Sequence, residues 1–455
     1  MLAELSMASI PNCSRRMHLA QLWRALRSRN YRLFFGGQGI SLIGTWMQRI
    51  ALSWLVYRLT GSAMMLGAVG FASQVPTFLL APLAGVLSDR WNLRKVLVVT
   101  QVLAMVQALA LAVLTLTDTV AVWHVFALGI ALGAINGFDV PARQTFVVQM
   151  VPKVEDVPNA IALNSLLVNS ARLIGPSLAG ILIGLVGEGV CFLANGLSYV
   201  AVVAALLAMQ LPARRARPPQ THVLRDLTQG FRYAFGFAPI RGVLLLLALV
   251  SLVGMTYVVL MPIFATDVLH GGPHTLGFLM AAAGGGAVAG AFYLAGRQSV
   301  VGLGDTITRA TLLLGAGLAV LSWARLEWLA LALMVVIGFA AMLQLAASNT
   351  VLQTIVEDHM RGRVMSFYTM AFMGMAPLSS LLAGALANWV GTTPALLLSG
   401  IVCMVGAAVS ALQLPALRAL AWPVYVRKGL IADVAGAAPA DAHGATLIAA
   451  PPADR

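Results

Sequence analysis

Twelve apolar segments, each about 20 residues long or longer, constrain the fold of this chain more than any other feature. About 20 apolar residues cross the ~30 Å core of a bilayer as a helix, which satisfies its own backbone hydrogen bonds. The chain is 60% hydrophobic and 10% charged, whereas soluble domains carry about 25% charged residues. We therefore predict an all-α membrane protein with transmembrane helices at 33–57, 64–87, 96–116, 122–147, 158–184, 188–209, 241–263, 275–296, 306–324, 328–350, 364–388 and 393–414.

The lysines and arginines predict the orientation of these helices. If both termini lie in the cytoplasm, all but four of the 29 Lys and Arg residues fall on the cytoplasmic side. Arg58 and Arg325 lie in links on the other side, and Arg49 and Arg172 lie within segments. Cytoplasmic links are enriched in Lys and Arg, so we expect a multi-pass protein of the bacterial inner membrane with both termini cytoplasmic. The net charge of +13 then reflects contact with anionic lipid, and no nucleic-acid partner is expected.

A basic, proline-containing linker divides the twelve segments into two sets of six. An amphipathic helix is predicted within it, from Leu224 to Phe237. Ser177–Gly180 is echoed by Leu381–Gly384, a weak sign of two parallel six-helix pseudo-repeats. The predicted divisions are a cytoplasmic leader at 1–32, an N-terminal bundle at 33–209, the linker at 210–240, a C-terminal bundle at 241–414 and a cytoplasmic, largely disordered tail at 415–455.

The sequence offers no phosphate-binding loop that would couple transport to ATP. Such a loop ends in Gly-Lys-Ser/Thr, and none of the three lysines here follows a glycine. Uphill transport would therefore need an ion gradient, in which one charge crossing ~100 mV yields ~2.3 kcal/mol. Cys13, Cys191 and Cys403 have no paired spacing, so we expect no metal site and no cofactor.

Four ionisable residues within the segments are candidates for function. Arg49 lies in the first segment and Arg172 in the fifth, and Asp139 lies toward the cytoplasmic end of the fourth, with Arg143 four residues further on. A charge at the bilayer centre costs roughly 2.5–3.5 kcal/mol on insertion scales, so these groups should face protein or water. One interpretation is a site that attracts an anionic or polar substrate, with Asp139 as a proton carrier. The other is a structural ion pair of Asp139 with Arg143, Arg172 or a loop cation.

Polar residues that share a helical face predict a water-filled path. At 100° per residue, one arc holds several polar residues in each of four segments. They are Gln38, Ser41, Thr45 and Arg49 in the first; Asn136, Asp139 and Arg143 in the fourth; Ser165, Asn169 and Arg172 in the fifth; and Gln344 and Ser348 in the tenth. Isolated Ser and Thr often bond their own helix instead, so both interpretations stay open for them.

Small residues mark sites of close helix approach. Gly175, Pro176 and Gly180 in the fifth segment combine a proline kink with small side chains, which indicates either a pivot or tight packing. Gly284–Gly286 in the eighth segment indicates close packing. Seven tryptophans, Trp46 among them, lie mostly near segment ends, where interface anchors occur.

A short charged link between the second and third segments carries a family resemblance. Gly85-x-x-x-Asp89-Arg90-x-Asn92-x-Arg94-Lys95 resembles the signature between helices 2 and 3 of the major facilitator superfamily, with Asn92 in place of the usual second glycine. Further motifs resemble the branch of enterobactin-type siderophore exporters and macrolide-type drug–proton antiporters. They include Trp46-Met-Gln48-Arg49, Phe138-Asp139-x-Pro141-x-Arg143, Asn169-x-x-Arg172-x-x-Gly175-Pro176 and Arg361-Gly362-Arg363.

The resemblance implies positions for the charged residues of a cytoplasmic gate. Asp89 would lie near Arg363, at the start of the eleventh segment, and hold the two halves together when the carrier opens outward. Asp139 would meet Arg90 or Arg94 in a charge network. Gly175-Pro176 resembles the antiporter signature of helix 5, although alanines stand at two positions where glycine is usual, Ala171 and Ala179.

The resemblance also implies a function, which is not catalysis. We expect a secondary transporter that exports a small amphipathic molecule, a drug or a secreted metabolite such as a siderophore, by alternating access. Protons are the expected coupling ion. Uptake or lysolipid flipping within the same fold is the nearest alternative. A passive channel and an intramembrane enzyme are less favoured. For the enzyme, no nucleophile–base pair is evident.

Overall fold

The computed structural model describes residues 24–88, 91–151, 153–210, 223–297, 299–357 and 359–428. Every regular element within them is a helix. The N-terminal half consists of α1 Arg29–Thr60, α2 Ala63–Ser88, α3 Leu93–Leu116, α4 Val122–Gln149, α5 Val157–Val186 and α6 Glu188–Ala208, with short 3₁₀ turns at Arg24–Arg27 and Val154–Asp156.

The C-terminal half follows an amphipathic helix, α7. Its helices and α7 itself have these bounds: α7 Val223–Gly236, α8 Ala238–Val268, α9 Pro273–Ala295, α10 Leu303–Trp323, α11 Glu327–Ile355, α12 Arg361–Val390 and α13 Thr392–Arg427. Two π-helical stretches, Val250–Gly254 and Phe264–Val268, interrupt α8, and Gly374 interrupts α12.

This architecture confirms the predicted all-α membrane fold. Eleven of the described helices are long and apolar enough to span a membrane. The twelfth, α1, is 32 residues long but carries the polar stripe that lowers its hydropathy. One end differs from the expectation: α13 continues past residue 414 to Arg427, with Pro415 and Pro423 inside the helix. Most of the predicted leader and tail and the centre of the linker lie outside the described residues.

The two ends of the bundle are chemically different. We call the end at which α1, α3 and α5 begin the basic face, and the end at which they finish the opposite face. At the basic face, the guanidinium of Arg94 donates to the carbonyl oxygens of Leu206 and Leu207 over 2.7 and 2.6 Å, which ties α3 to the end of α6. At the opposite face, Gly61 ends α1 with φ 58°, a conformation that glycine adopts without strain.

The two halves meet along two seams, α5 with α9 and α2 with α12. The seams are tight near the opposite face, where Gly180 lies against Gly277 and Gly67 lies against Gly384, and the α5–α9 seam stays tight to the middle of the bundle, where Gly284 faces the Arg172 backbone. On the basic side, the first part of α12, Arg361–Met373, packs instead on α7, α8 and α11. The described helices of the two halves therefore close the opposite face and diverge toward the basic face.

Candidate functional site

Two arginines from different helices flank one tryptophan near the middle of the N-terminal half. The Cζ atoms of Arg49 and Arg172 lie 4.7 and 4.9 Å from the centroid of the Trp46 ring. Gly175 permits this arrangement, because a Cβ atom there would lie only 2.5 Å from the Trp46 Cβ. Each cation–π contact contributes roughly 0.5–2 kcal/mol but leaves the positive charge in place. Trp46 is thus part of the site, and the expectation that it anchors the membrane interface does not hold.

The Arg49 side chain is solvent-exposed although it lies among helices. Its electrostatic neighbours are Arg172, Tyr199 and Arg143, which come from α5, α6 and α4. A charged group that is exposed among three helices lines an open space between the helices. Because both guanidinium groups face one centroid, their Cζ atoms are at most 9.6 Å apart, the sum of 4.7 and 4.9 Å. At an effective dielectric of about 20, two unit charges at that separation repel by roughly 2 kcal/mol.

Asp139 is buried in a separate polar cluster. Its Oδ1 accepts hydrogen bonds from Thr100 Oγ1 over 2.9 Å and Gln101 Nε2 over 2.8 Å, and its Oδ2 lies 3.7 Å from Arg143 Nε. The carboxylate is therefore balanced by the cation one turn later on its own helix. Of the partners considered from the sequence, the structure places Arg143 beside Asp139. Arg94 bonds the end of α6 instead.

Arg49 and Arg172 have no such partner among the residues that the structure describes. Within the described part of the chain, no carboxylate oxygen lies within 4.0 Å of either guanidinium. The Nε atom of Arg172 is buried and has no hydrogen-bond acceptor there. With Asp139 and Arg143 balancing each other, Arg49 and Arg172 bring two positive charges to the open space with no compensating carboxylate among the described residues.

The C-terminal half contributes an aromatic side chain to the same region. Tyr257 of α8 is buried and lies within electrostatic range of Arg172. It follows the first π-helical stretch of α8, whose extra residue per turn alters the face that the helix presents. Sequence reasoning missed Tyr257, because no helical period predicts a π turn.

A buried amide network beneath the arginines was also missed. Gln48 Nε2 donates to Gln107 Oε1 over 3.1 Å, and Asn195 Nδ2 donates to Gln48 Oε1 over 2.6 Å. These three side chains belong to α1, α3 and α6 and are 3%, 5% and 1% exposed. Tyr199 of α6 lies beside Asn195 and Thr45 and connects the network to Arg49. In the sequence, the motif Trp46-Met-Gln48-Arg49 points to Gln48, but it does not identify Gln107 and Asn195 as its hydrogen-bond partners.

The predicted polar stripes are only partly open. Gln38 and Ser41 are buried, because Gly37 brings the start of α1 against the α6 backbone at Ala201. The expectation that they line a water-filled path does not hold for this conformation. Thr45 is half-buried and donates to the Ser41 carbonyl oxygen over 2.9 Å.

The polar stripes of the other helices also contain both partly exposed and buried residues. Asn136 and Asn169 are partly exposed, and Asn169 Nδ2 donates to the Ser165 carbonyl oxygen over 2.9 Å. Gln344 and Ser348 of α11 are 1% and 0% exposed, so they do not line an open path here. Packing of α11 against α9 and α10 covers this face.

Only part of the expected gate motif can be located. Gly85 lies in the last turns of α2 and Lys95 is exposed in the first turn of α3, whereas Asp89 and Arg90 lie outside the described residues. Arg363 Nη1 donates to Gln229 Oε1 of α7 over 2.9 Å, so the amphipathic helix is tied to the start of α12.

The small residues of α5 lie where it packs against α1 and against α9. The helix continues without interruption through Pro176. Gly175 faces Trp46 of α1, and Gly180 faces Gly277 of α9 in the other half. These residues therefore serve close packing within the half and across the seam.

A family model described as transmembrane secretion effector matches residues 20–424. This match covers both halves and the site between them. The chain belongs to the transmembrane secretion effector family of the major facilitator superfamily. The members of this family are transporters, and the chain is a multi-pass membrane protein with a small-molecule substrate.

Individual relatives of this transmembrane secretion effector agree with the assignment. The staphyloferrin A transporter of Staphylococcus aureus (strain NCTC 8325 / PS 47) is 24% identical over 373 residues, which cover 81% of this chain and 92% of that protein. The multidrug efflux pump Tap of Mycolicibacterium fortuitum is 27% identical over 368 residues, 78% of this chain and 87% of the relative. A POT family transporter solved with 5-aminolevulinic acid shares the fold, with a TM-score of 0.70 at 11% identity over 86% of this chain and 97% of that one.

Proposed function

We propose that this transporter exports a small amphipathic molecule, a drug or a secreted metabolite such as a siderophore, by alternating access in exchange for protons. The observation that carries the proposal is the pair of uncompensated cations, Arg49 and Arg172, in a space that widens toward the basic face. Positive-inside orientation would make that face cytoplasmic, so the site would receive substrate from the cell interior. The two cations favour anionic substrates. The names of the two relatives, a siderophore transporter and an efflux pump, support this substrate range.

Transport in everted membrane vesicles tests the direction and charge preference. With an acidic interior, vesicles that contain the protein should accumulate the aromatic anion carboxyfluorescein, and collapse of the proton gradient should stop accumulation. Vesicles with Arg49→Gln provide the control for the site. Accumulation only in right-side-out vesicles would identify an uptake carrier, and accumulation of cationic ethidium but not carboxyfluorescein would refute the anion preference.

Asp139→Asn should uncouple transport from the proton gradient. The asparagine keeps the size of the side chain and can still accept from Thr100 and Gln101, but it can neither carry a proton nor balance Arg143. We expect the accumulation ratio in vesicles to fall at least tenfold, to the value seen without a gradient, and a tenfold smaller ratio corresponds to ~1.4 kcal/mol less driving force. Thr100→Val is the matched control, since it removes one donor and keeps the carboxylate. If Asp139→Asn retains full gradient dependence, Asp139 serves only the structural pair.

Tyr57→Phe should weaken the closed state of the opposite face. Tyr57 Oη of α1 donates to Asp267 Oδ1 of α8 over 2.6 Å, a hydrogen bond between the two halves. An exposed bond of this kind contributes about 1 kcal/mol, so its loss should raise the population open at this face about fivefold. Spin-label distances between Thr119→Cys and Glu327→Cys, which are exposed on the two halves, measure that population. Asp267→Asn should shift it similarly, and the double variant should add little; additive shifts would show that the bond does not couple the halves.

A further inference from the structure

We infer that the substrate carries at least two negative charges, one held by Arg49 and the other by Arg172. This inference rests on the proposed export function and specifies the chemical class of its substrate: a di- or polyanion with an apolar or aromatic frame. The observation behind it is a charge count. Among the described residues, Arg49 has two arginines, Arg172 and Arg143, as electrostatic neighbours, and of these three only Arg143 has a carboxylate beside it, the buried Asp139.

No group within the described residues neutralises the two remaining cations, Arg49 and Arg172. Their contacts with Trp46 are attractive, but an uncharged ring cannot neutralise a guanidinium. Tyr257 and Tyr199, the other aromatic neighbours, are also neutral donors. Two like charges held near one ring repel each other. An anion that neutralises both therefore binds more tightly than one that neutralises only one.

The geometry fits one ligand that contacts both cations. The guanidinium carbons are at most 9.6 Å apart, the sum of 4.7 and 4.9 Å, which two acidic groups on one small molecule can bridge. Each guanidinium presents a planar fork that matches a carboxylate, and the buried Nε of Arg172 still lacks an acceptor within the described chain. A monoanion would satisfy one arginine and leave the other uncompensated.

The aromatic side chains define the rest of the ligand. Trp46 and Tyr199 come from the N-terminal half and Tyr257 from the C-terminal half. The two tyrosines are buried, whereas Trp46 is half-buried, so Trp46 offers the aromatic surface on which an apolar or aromatic frame between the two acidic groups would pack.

Thermal stabilisation of the purified full-length protein in detergent tests the inference. Isophthalate is the dianionic probe, and its monoamide, which has the same frame and one charge, is the matched control. Both are compared with chloride at equal ionic strength. Since a ligand that binds the folded state raises the melting temperature, we expect isophthalate to stabilise the protein at a concentration about tenfold lower than the monoamide.

Variants assign the effect to the two arginines. Arg49→Gln and Arg172→Gln should each reduce the difference between the two probes to less than about threefold, whereas Arg49→Lys, which keeps the charge but loses the planar fork, should retain more of it than Arg49→Gln. Equal stabilisation by the two probes, no stabilisation by isophthalate, or an undiminished preference in both glutamine variants would overturn the inference. A protein that accumulates carboxyfluorescein in vesicles but is stabilised equally by the two probes would keep the export function and lose this inference, whereas failure in the vesicles would refute the export function itself, so the two failures are distinguishable.

Discussion

Gly286→Ala should lower the thermal stability of the purified protein severely, whereas Gly285→Ala, one residue away, should leave it nearly unchanged. A Cβ atom at Gly286 would overlap the Val335 carbonyl oxygen and lie 2.8 Å from the Phe339 nitrogen. Both are main-chain atoms of α11, which cannot rotate away as a side chain could. Gly338 faces the Ala283 backbone of α9 in the same way, so the two helices touch backbone to backbone.

The expected cost follows from what must move. To accommodate one methyl group, α9 and α11 would have to separate along their shared surface. We expect a loss of roughly 3 kcal/mol or more, at the upper end for overpacked cores. Unfolding in detergent, monitored by circular dichroism, measures it. At Gly285 the nearest atom to a new Cβ is Leu173 Cδ1 at 3.6 Å, an ordinary contact with a flexible side chain. Because alanine is the better helix former, helix propensity alone would stabilise both variants, and equal destabilisation by the two substitutions would show that the backbone contact at Gly286 does not govern the effect.

Gly180→Leu should abolish export while leaving the folded protein intact. A Cβ atom at Gly180 would lie 2.9 Å from Gly277 Cα and 3.0 Å from the Pro273 carbonyl oxygen, across the seam between the halves. Under the alternating access proposed above, this contact would be lost when the opposite face opens. A leucine would therefore hold the seam apart and trap the transporter open at that face, with more than tenfold loss of transport.

The control lies one turn further along the same helix. At Gly184 a new Cβ would meet no atom within 4 Å, so Gly184→Leu adds the same side chain without wedging the seam. Transport assays should separate the two variants, and the spin-label distance between the halves should increase only for Gly180→Leu. A closed opposite face in Gly180→Leu, or an equal loss of transport in Gly184→Leu, would refute the role assigned to this seam.

Hydropathy was sufficient to predict the fold, because about 20 consecutive apolar residues have few structural alternatives to a transmembrane helix. Arg49, Arg172 and Asp139 were identifiable by a related argument, since an ionisable group inside an apolar segment needs a polar environment. Periodicity could not show which neighbouring helix covers a polar face. Gln38 and Ser41 share a face with Arg49, yet they are buried because α6 packs against Gly37.

Partners that are distant in sequence account for the rest of what was missed. Nothing in the local pattern connects Trp46 with Arg172, or Gln48 with Gln107 and Asn195. Those contacts depend on how closely α1, α3, α5 and α6 approach, which glycines such as Gly175 determine. The π turns of α8 were also unpredicted, since they break the period on which helical phase is calculated.

The amide network of Gln48, Gln107 and Asn195 has a mechanical consequence. Three helices share one chain of hydrogen bonds in which the central glutamine both donates and accepts. Rotation of any one of these three helices would leave a buried side-chain amide without a hydrogen-bond partner, at a cost of about 1–3 kcal/mol. We therefore expect α1, α3 and α6 to move together as one unit, so that deformation is concentrated in α8 and at the two glycine-lined seams.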